Sequence, residues 1–257
     1  MSAKKTVNVA YMYPDILSLH GDRGNIWALM NVAGKMGLEL SIARYDSPND
    51  KVPFDKIDLM VFSPGELASS LFLAKDAYGG AQAYKEYIDS GNTMLAIGSA
   101  IGIFAGEVVR KNGVYEGMGV IDATMEELQT PYSNDAVLMT DTFGYDMEIV
   151  GGQIQIASIK LGAGEKPLGI SRYGFGNDKN GMEGIRKLNF FFTNFLGPVL
   201  VKNPWFAEEI LKVAANNRGI DVDTSDDGYM LERLSNAEIN RYIRIKAEKY
   251  DHTRLDN

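Results

Sequence analysis

A chain of 257 residues that is 45% hydrophobic and 23% charged has room for one large α/β domain or two small ones, and its composition is that of a globular protein. Its formal charge of −8 excludes nucleic acid as an expected partner, because a phosphate backbone needs clustered Lys and Arg. With no cysteine and only two histidines, His20 and His252, disulfides, thiolate metal sites, thiol catalysis and a histidine cluster are excluded; no cofactor or metal is expected, though an all-carboxylate Mg²⁺ site stays open.

Met1 to Lys5 lacks the apolar core of a signal peptide and leads directly into Val7 to Met12, which reads as a buried strand. A loop rich in Pro14, Asp15, Gly21, Asp22 and Gly24 follows. Ile26, Leu29, Met30 and Ala33 then recur at helical spacing, with Asn25 as cap. Leu38, Leu40 and Ile42 alternate with polar or small residues as in a half-buried strand, and Ile57 to Phe62 is a further strand ending at Ser63-Pro64-Gly65. A helix over Gln82 to Asp89 stops at Gly91, and Thr93 to Ile97 is the next strand.

Strands alternating with helices predict a parallel sheet covered on both faces, with ligands at the carboxyl ends of its strands. The Ser63-Pro64-Gly65 and Gly98 turns both fall at such ends and are expected to share one cleft. Beyond about residue 115 the pattern becomes β-rich, with Ala136 to Thr140, Met147 to Val150, Gln153 to Ile159 and Leu168 to Tyr173 reading as an antiparallel extension turning at Gly151-Gly152. Leu188 to Thr193 reads as a strand, followed by the turn Leu196-Gly197-Pro198. The longest apolar stretch, Leu188 to Val201, is broken by polar residues and Pro198, so no membrane insertion is expected and the location is read as cytoplasmic.

Asn203 as cap and Pro204 at the first helical position open a helix whose apolar face is Phe206, Ile210, Leu211, Val213 and Ala214. Asp221 to Gly228 is acidic and turn-rich and reads as a solvated linker rather than a calcium loop, because Leu234 stands where a calcium loop needs its bidentate Glu. Asn236 to Tyr250 is a charged amphipathic helix. The expected division is a main domain over 1–217 and a linker plus helix over 218–257.

The centre of the pattern is Leu95-Ala96-Ile97-Gly98-Ser99-Ala100-Ile101-Gly102. An apolar strand runs through small residues into an apolar segment, as in the strained strand–turn–helix elbow that presents a catalytic Cys or Ser. Here the apex is Gly98, which adopts positive φ freely and carries no reactive group. Together with Leu19-His20-Gly21-Asp22-Arg23-Gly24-Asn25, Gly117 to Asp122, Pro167-Leu168-Gly169, Tyr173 to Asn177 and Gly197 to Pro204, this elbow resembles the class I glutamine amidotransferases of the cobyric acid synthase type. The branch it is most similar to is that of the lipid II isoglutaminyl synthase glutaminases. The ordered matches extend over about residues 6–217, and no single one is decisive.

The resemblance implies a flavodoxin-like fold: a mostly parallel central sheet with helices on both faces and a β-rich extension. Carried over position by position, it puts Gly98 where the family has its nucleophilic Cys and Leu196 where it has its catalytic His. The family's oxyanion-hole turn corresponds to Ser63, Pro64, Gly65 and Glu66. Its substrate-binding region falls near Gln153 to Lys160, without the arginine. Thiolate attack and proton transfer therefore lack both groups. Ser99, one position past the apex, has no histidine beside it in the motif and reads as a partly exposed bystander.

In the loop after the first strand, Asp22 and Arg23 stand open between contacting a ligand or partner and serving as a cap and a surface ion pair. His20 reads as a packing or loop residue, and His20, Asp22, Arg23 and Asn25 together form the expected ligand or partner loop. The resemblance implies a catalytically degenerate subunit whose partner is a Mur-type ligase-like protein. The reading from another class is an enzyme or small-molecule binder that reuses the cleft through Glu66, Ser99 or His20.

Overall fold

The computed structural model describes residues 5–223 and 228–254. The chain builds β1 (Thr6–Met12), α1 (Arg23–Lys35), β2 (Glu39–Tyr45), β3 (Leu59–Phe62), α2 (Leu67–Asp76), α3 (Gly80–Asp89), β4 (Thr93–Ile97) and α4 (Ile101–Phe104). A second run follows: β5 (Ala105–Arg110), β6 (Gly113–Glu116), β7 (Ile121–Thr140), β8 (Met147–Leu161), β9 (Gly169–Tyr173), β10 (Met182–Glu183), β11 (Ile185–Lys187) and β12 (Phe190–Thr193). Three helices close the chain, α5 (Val199–Lys202), α6 (Pro204–Asn216) and α7 (Met230–Arg254).

The first sheet has the order β11-β12-β4-β3-β1-β2. Its five strands from β12 to β2 are parallel, and only β11 runs antiparallel to its neighbour. The order β2-β1-β3-β4-β12 is that of flavodoxin-like sheets. Alternation along each strand sends side chains to two cores. Val9, Tyr11, Leu59, Val61, Leu95 and Phe191 face the layer of α1 and α6. Ala10, Met12, Met60, Phe62, Met94, Phe190 and Phe192 face the other way, toward Tyr84 and Tyr87 of α3 and toward the second sheet. Residues buried on both faces explain why β3 and β4 read as uninterrupted apolar runs.

The second sheet runs β10-β9-β7-β5-β6, with β8 antiparallel to β7. Here the structure corrects several expectations. β7 begins at Ile121, not Ala136, and the ladder with β8 shifts register between Glu127 and Tyr132. Gly151-Gly152 is not a turn: both residues lie inside β8 and pair with Ala136 and Asp135. A Cβ on Gly151 would come within 2.8 Å of the Phe195 ring. The Leu196 N–H donates to the Gly152 carbonyl at 2.7 Å, so the glycines let β8 pass close to the loop leaving β12.

Other differences are local. Helix α2 was not predicted. Leu188 is not in a strand; its φ of +52° puts it in the tight loop between β11 and β12. Asn25 is not a cap, since α1 starts two residues before it, at Arg23. Asn203 does occupy the cap position of α6 but makes no capping bond there. Fully buried, it accepts from Val150 N at 2.9 Å and donates to Val150 O at 2.8 Å and to Val199 O at 2.7 Å.

Helix α7 begins at Met230, ahead of the expected Asn236, and Asn236 donates to Lys202 O and Asn203 Oδ1, both at 3.1 Å. Ile243 of α7 packs with Val137 and Val150, which lays the helix on the β7–β8 ladder. Of the predicted acidic linker, residues 224–227 lie outside the described residues.

Candidate functional site

The ends of β1, β3, β4 and β12 are level: Met12 pairs with Phe62, Phe62 with Ala96, and Ile97 with Thr193. The loops that follow therefore emerge along one edge of the sheet, the edge at which ligands of such sheets bind. They enclose a cleft of about 330 Å³. Leu19 and His20 line it from the first loop, Pro64 to Leu67 from the second, Gly98 and Ser99 from the third, and Asn194 and Leu196 from the fourth; Met125 and Ile154 to Ala157 close it from the second sheet. The expected convergence of the Pro64-Gly65 and Gly98 turns is thus observed. Ser63 is an exception, being fully buried and absent from the cleft wall.

Gly98 has φ +56°, a region in which side chains other than glycine's are strained. A Cβ there would lie 3.0 Å from Leu196 Cδ2 and 3.1 Å from Pro64 Cβ. The helix after the elbow is short. A 3-10 turn and the four residues of α4 are all that fit before β5 begins at Ala105.

Ser99 is not a partly exposed bystander. It is 8% exposed, and its hydroxyl donates to Gly65 O at 2.5 Å while accepting from Gly65 N at 3.0 Å. Ser70 Oγ donates to the Ser99 carbonyl at 2.8 Å. The hydroxyl proton is thus held by a carbonyl that cannot act as a base, and the Gly65 N–H is directed at Ser99. The residues at the elbow are locked to the neighbouring turn by hydrogen bonds that also occupy a donor of the cleft wall.

The loop after β1 divides into an exposed and a buried half. His20, with φ +60°, is exposed on the cleft rim instead of packed, and Arg23 is exposed in an ion pair with Asp15 at 2.9 Å. Arg44 meets the same Asp15 at 3.0 Å. Asp22 and Asn25 are fully buried. Asn25 donates to Asp22 Oδ1 at 2.8 Å and accepts the Leu200 N–H at 2.9 Å, tying this loop to the start of α5.

Burial pushes the Asp22 carboxyl up to about 7, opposed by the hydrogen bond from Asn25. Asp22 Oδ2 is buried without a hydrogen-bond partner among the described residues, and the Tyr11 and Ser63 hydroxyls are buried facing each other. Burial likewise raises the Tyr11 phenol.

Behind the cleft lies a polar cluster that sequence reasoning did not find. Glu183, fully buried, accepts from Thr193 Oγ1 at 2.8 Å, Asn194 N at 2.8 Å and Asn194 Nδ2 at 3.0 Å. Burial raises its carboxyl and these donors oppose the shift. Asn194 Nδ2 also reaches Asn177 Oδ1 at 3.0 Å, and Gln155 Nε2 donates to Asn177 O at 3.2 Å. This cluster fixes the segment that delivers Leu196 to Gly98. Its members are far apart in sequence without regular spacing, so no local signal marks them.

The sheet order, the two covered faces and the cleft at the strand ends define a class I glutamine amidotransferase fold. A crystal structure of a glutamine amidotransferase superposes with a TM-score of 0.50 at 18% identity, covering 80% of this chain and 98% of that one. In sequence the chain is homologous to subunit GatD of lipid II isoglutaminyl synthase (glutamine-hydrolyzing). It is 26% identical to that of Streptococcus pneumoniae (strain ATCC BAA-255 / R6) over 82% of this chain and 82% of the relative. To that of Staphylococcus aureus (strain N315) it is 26% identical over 86% and 89%. No protein-family profile matches the chain. Among the described residues no helix is long and apolar enough to cross a membrane.

Proposed function

We propose that the chain is a catalytically degenerate amidotransferase-like subunit of the cobyric acid synthase type that works by binding a Mur-type ligase-like protein in the cytoplasm, stabilising or regulating it. In this reading residues 1–217 are the amidotransferase-like unit and 218–257 its tail. The observation that carries the reading is the meeting of Gly98 and Leu196. A Cβ placed on Gly98, the apex of the elbow, would lie 3.0 Å from Cδ2 of Leu196, the residue matching the family's base, and neither residue can hold or move a proton. The chain has no cysteine for thiolate attack. Ser99 offers no substitute, because its proton rests on the Gly65 carbonyl. Support for a partner comes from the relatives, each of which is a subunit of a synthase.

The test is ammonia release from glutamine by the purified chain, alone and with the protein that copurifies with it from its native cell. We expect no turnover and no labelling by a glutamine-mimicking electrophile, with a ligase-like protein recovered stoichiometrically. Turnover that Ser99→Ala abolishes overturns the degenerate reading, and recovery of the chain without any ligase-like protein overturns the partner.

A further inference from the structure

The cleft's volume of about 330 Å³ lies in the range in which small ligands are held. Its walls are largely apolar, with Leu19, Met125, Ile154, Ile156 and Leu196 prominent among them. Ile154 is 45% and Leu19 38% exposed although both face a concave surface, which leaves apolar area for an occupant to cover. No lysine or arginine lines the cleft among the described residues, and Glu66 is the one carboxylate on it. Glu66 sits at the N-cap of α2 yet makes no capping bond, and it enters no ion pair or side-chain hydrogen bond among the described residues. His20, the other titratable group on the wall, is exposed on the rim.

An amino acid such as glutamine presents a carboxylate that needs a cation, and this wall supplies none. What the wall does supply is an apolar slot with one free carboxylate at its mouth. We infer that the cleft binds a small organic amine, an ammonium group on a branched-alkyl or single-ring body without a carboxylate. The ammonium meets Glu66 and the body covers Ile154, Ile156 and Leu196. This goes beyond the partner-binding reading and does not depend on it.

The experiment is a ¹⁵N–¹H titration of the full chain at pH 8 with 2-phenylethylamine, phenylalanine, glutamine and 2-phenylethanol. We expect saturable shifts at Gly65, Ser99 and Ile154 with the amine, binding weaker by about tenfold or more for phenylalanine and the alcohol, and none with glutamine. Glu66→Gln is expected to weaken the amine about tenfold and leave the alcohol unchanged, whereas Ile154→Asn weakens both. Both side chains are exposed, so neither change threatens the fold. The inference is overturned if phenylalanine or glutamine binds as tightly as the amine, or if Glu66→Gln leaves the amine unaffected. It is equally overturned if the amine gives no saturable shift, the outcome for a cleft reserved for a partner's apolar side chain.

Discussion

The turn after β4 and the loop after β1 open on the same edge of one sheet, but they hold their polar groups in opposite ways. At the elbow the Ser99 hydroxyl both donates to and accepts from Gly65, and its backbone carbonyl is met by Ser70. In the β1 loop Asp22 is fully buried with one carboxylate oxygen unpartnered among the described residues, near the buried Tyr11 phenol that faces Ser63. The elbow, where the resembled family does its chemistry, is electrically quiet. The ionisable group with strained burial sits instead in the loop after β1. The contrast is one of order: the elbow's polar groups are all engaged in hydrogen bonds, while the β1 loop leaves a buried carboxylate oxygen without a partner among the described residues.

The sharpest way to break this comparison is to titrate Asp22, where the largest effect is expected. Its folded-state carboxyl is raised from 3.8 to about 7. Below about pH 4 it is protonated in both folded and unfolded chains and costs nothing. Between about pH 4 and 7 the unfolded chain ionises while the folded one does not, so stability falls as pH rises, by up to about 4 kcal/mol, and stays lower above that window. Asp22→Asn keeps an oxygen for the Asn25 bond and removes the titration. Urea unfolding of both proteins from pH 4 to 8 should show a gap that grows with pH in favour of the variant. A constant gap would mean that Asp22 is ionised in the folded chain and has partners, making the two loops alike.

Next in size is Gly98→Val, expected to cost about 3 kcal/mol. A β-branched residue at positive φ is strained, and its Cβ meets Leu196 and Pro64 at 3.0 and 3.1 Å. Gly98→Ala meets the same two neighbours without the branching and should cost about 1 to 2 kcal/mol. Equal unfolding midpoints for the two variants would remove Gly98 from a strained apex, and with it the alignment to a nucleophile position.

How far these sites were legible follows from what each depends on. β1, β3 and β4 could be read because their apolar runs are bounded by turn residues, and the convergence of Pro64-Gly65 with Gly98 followed from both lying at strand ends. The second sheet was legible only in part. Residues 121–135 mix exposed polar with buried positions, so β7 showed itself only from Ala136. Gly151-Gly152 carries a hairpin signal, but the structure uses the missing side chains to admit the Phe195 ring. Ile154, Ile156 and Met125 reach the cleft only because the two sheets pack together, and that is a long-range fact. The burial of Asp22 and Ser99 was hidden for the same reason, since both sit in loops that read as exposed.

Ser99→Ala comes third, at about 2 kcal/mol, because it leaves the Gly65 N–H and carbonyl without their partner in a buried turn. The same variant separates two roles. A locking residue loses thermal stability with no change in any activity, whereas a bystander loses neither. A cost below about 0.5 kcal/mol would return Ser99 to the surface class and leave the elbow as loosely held as the β1 loop.

The smallest expected effect is on catalysis, from Gly98→Cys combined with Leu196→His, which should yield no measurable ammonia release from glutamine. The double variant supplies a thiol and an imidazole, but acyl transfer also needs donors aimed at the developing oxyanion and a clamp on the substrate. The Gly65 N–H remains directed at Ser99 Oγ, and among the described residues no lysine or arginine lines the cleft to take the substrate carboxylate. The new Cβ at 98 must also displace Pro64, 3.1 Å away. Adding Ser99→Gly releases the Gly65 N–H and tests whether the lock alone blocks the hole; it should still leave glutamine unclamped, so turnover stays at background. Efficient hydrolysis by the double variant would mean that the elbow kept a working oxyanion site despite Ser99, and the quiet end of the comparison would be only two side chains away from catalysis.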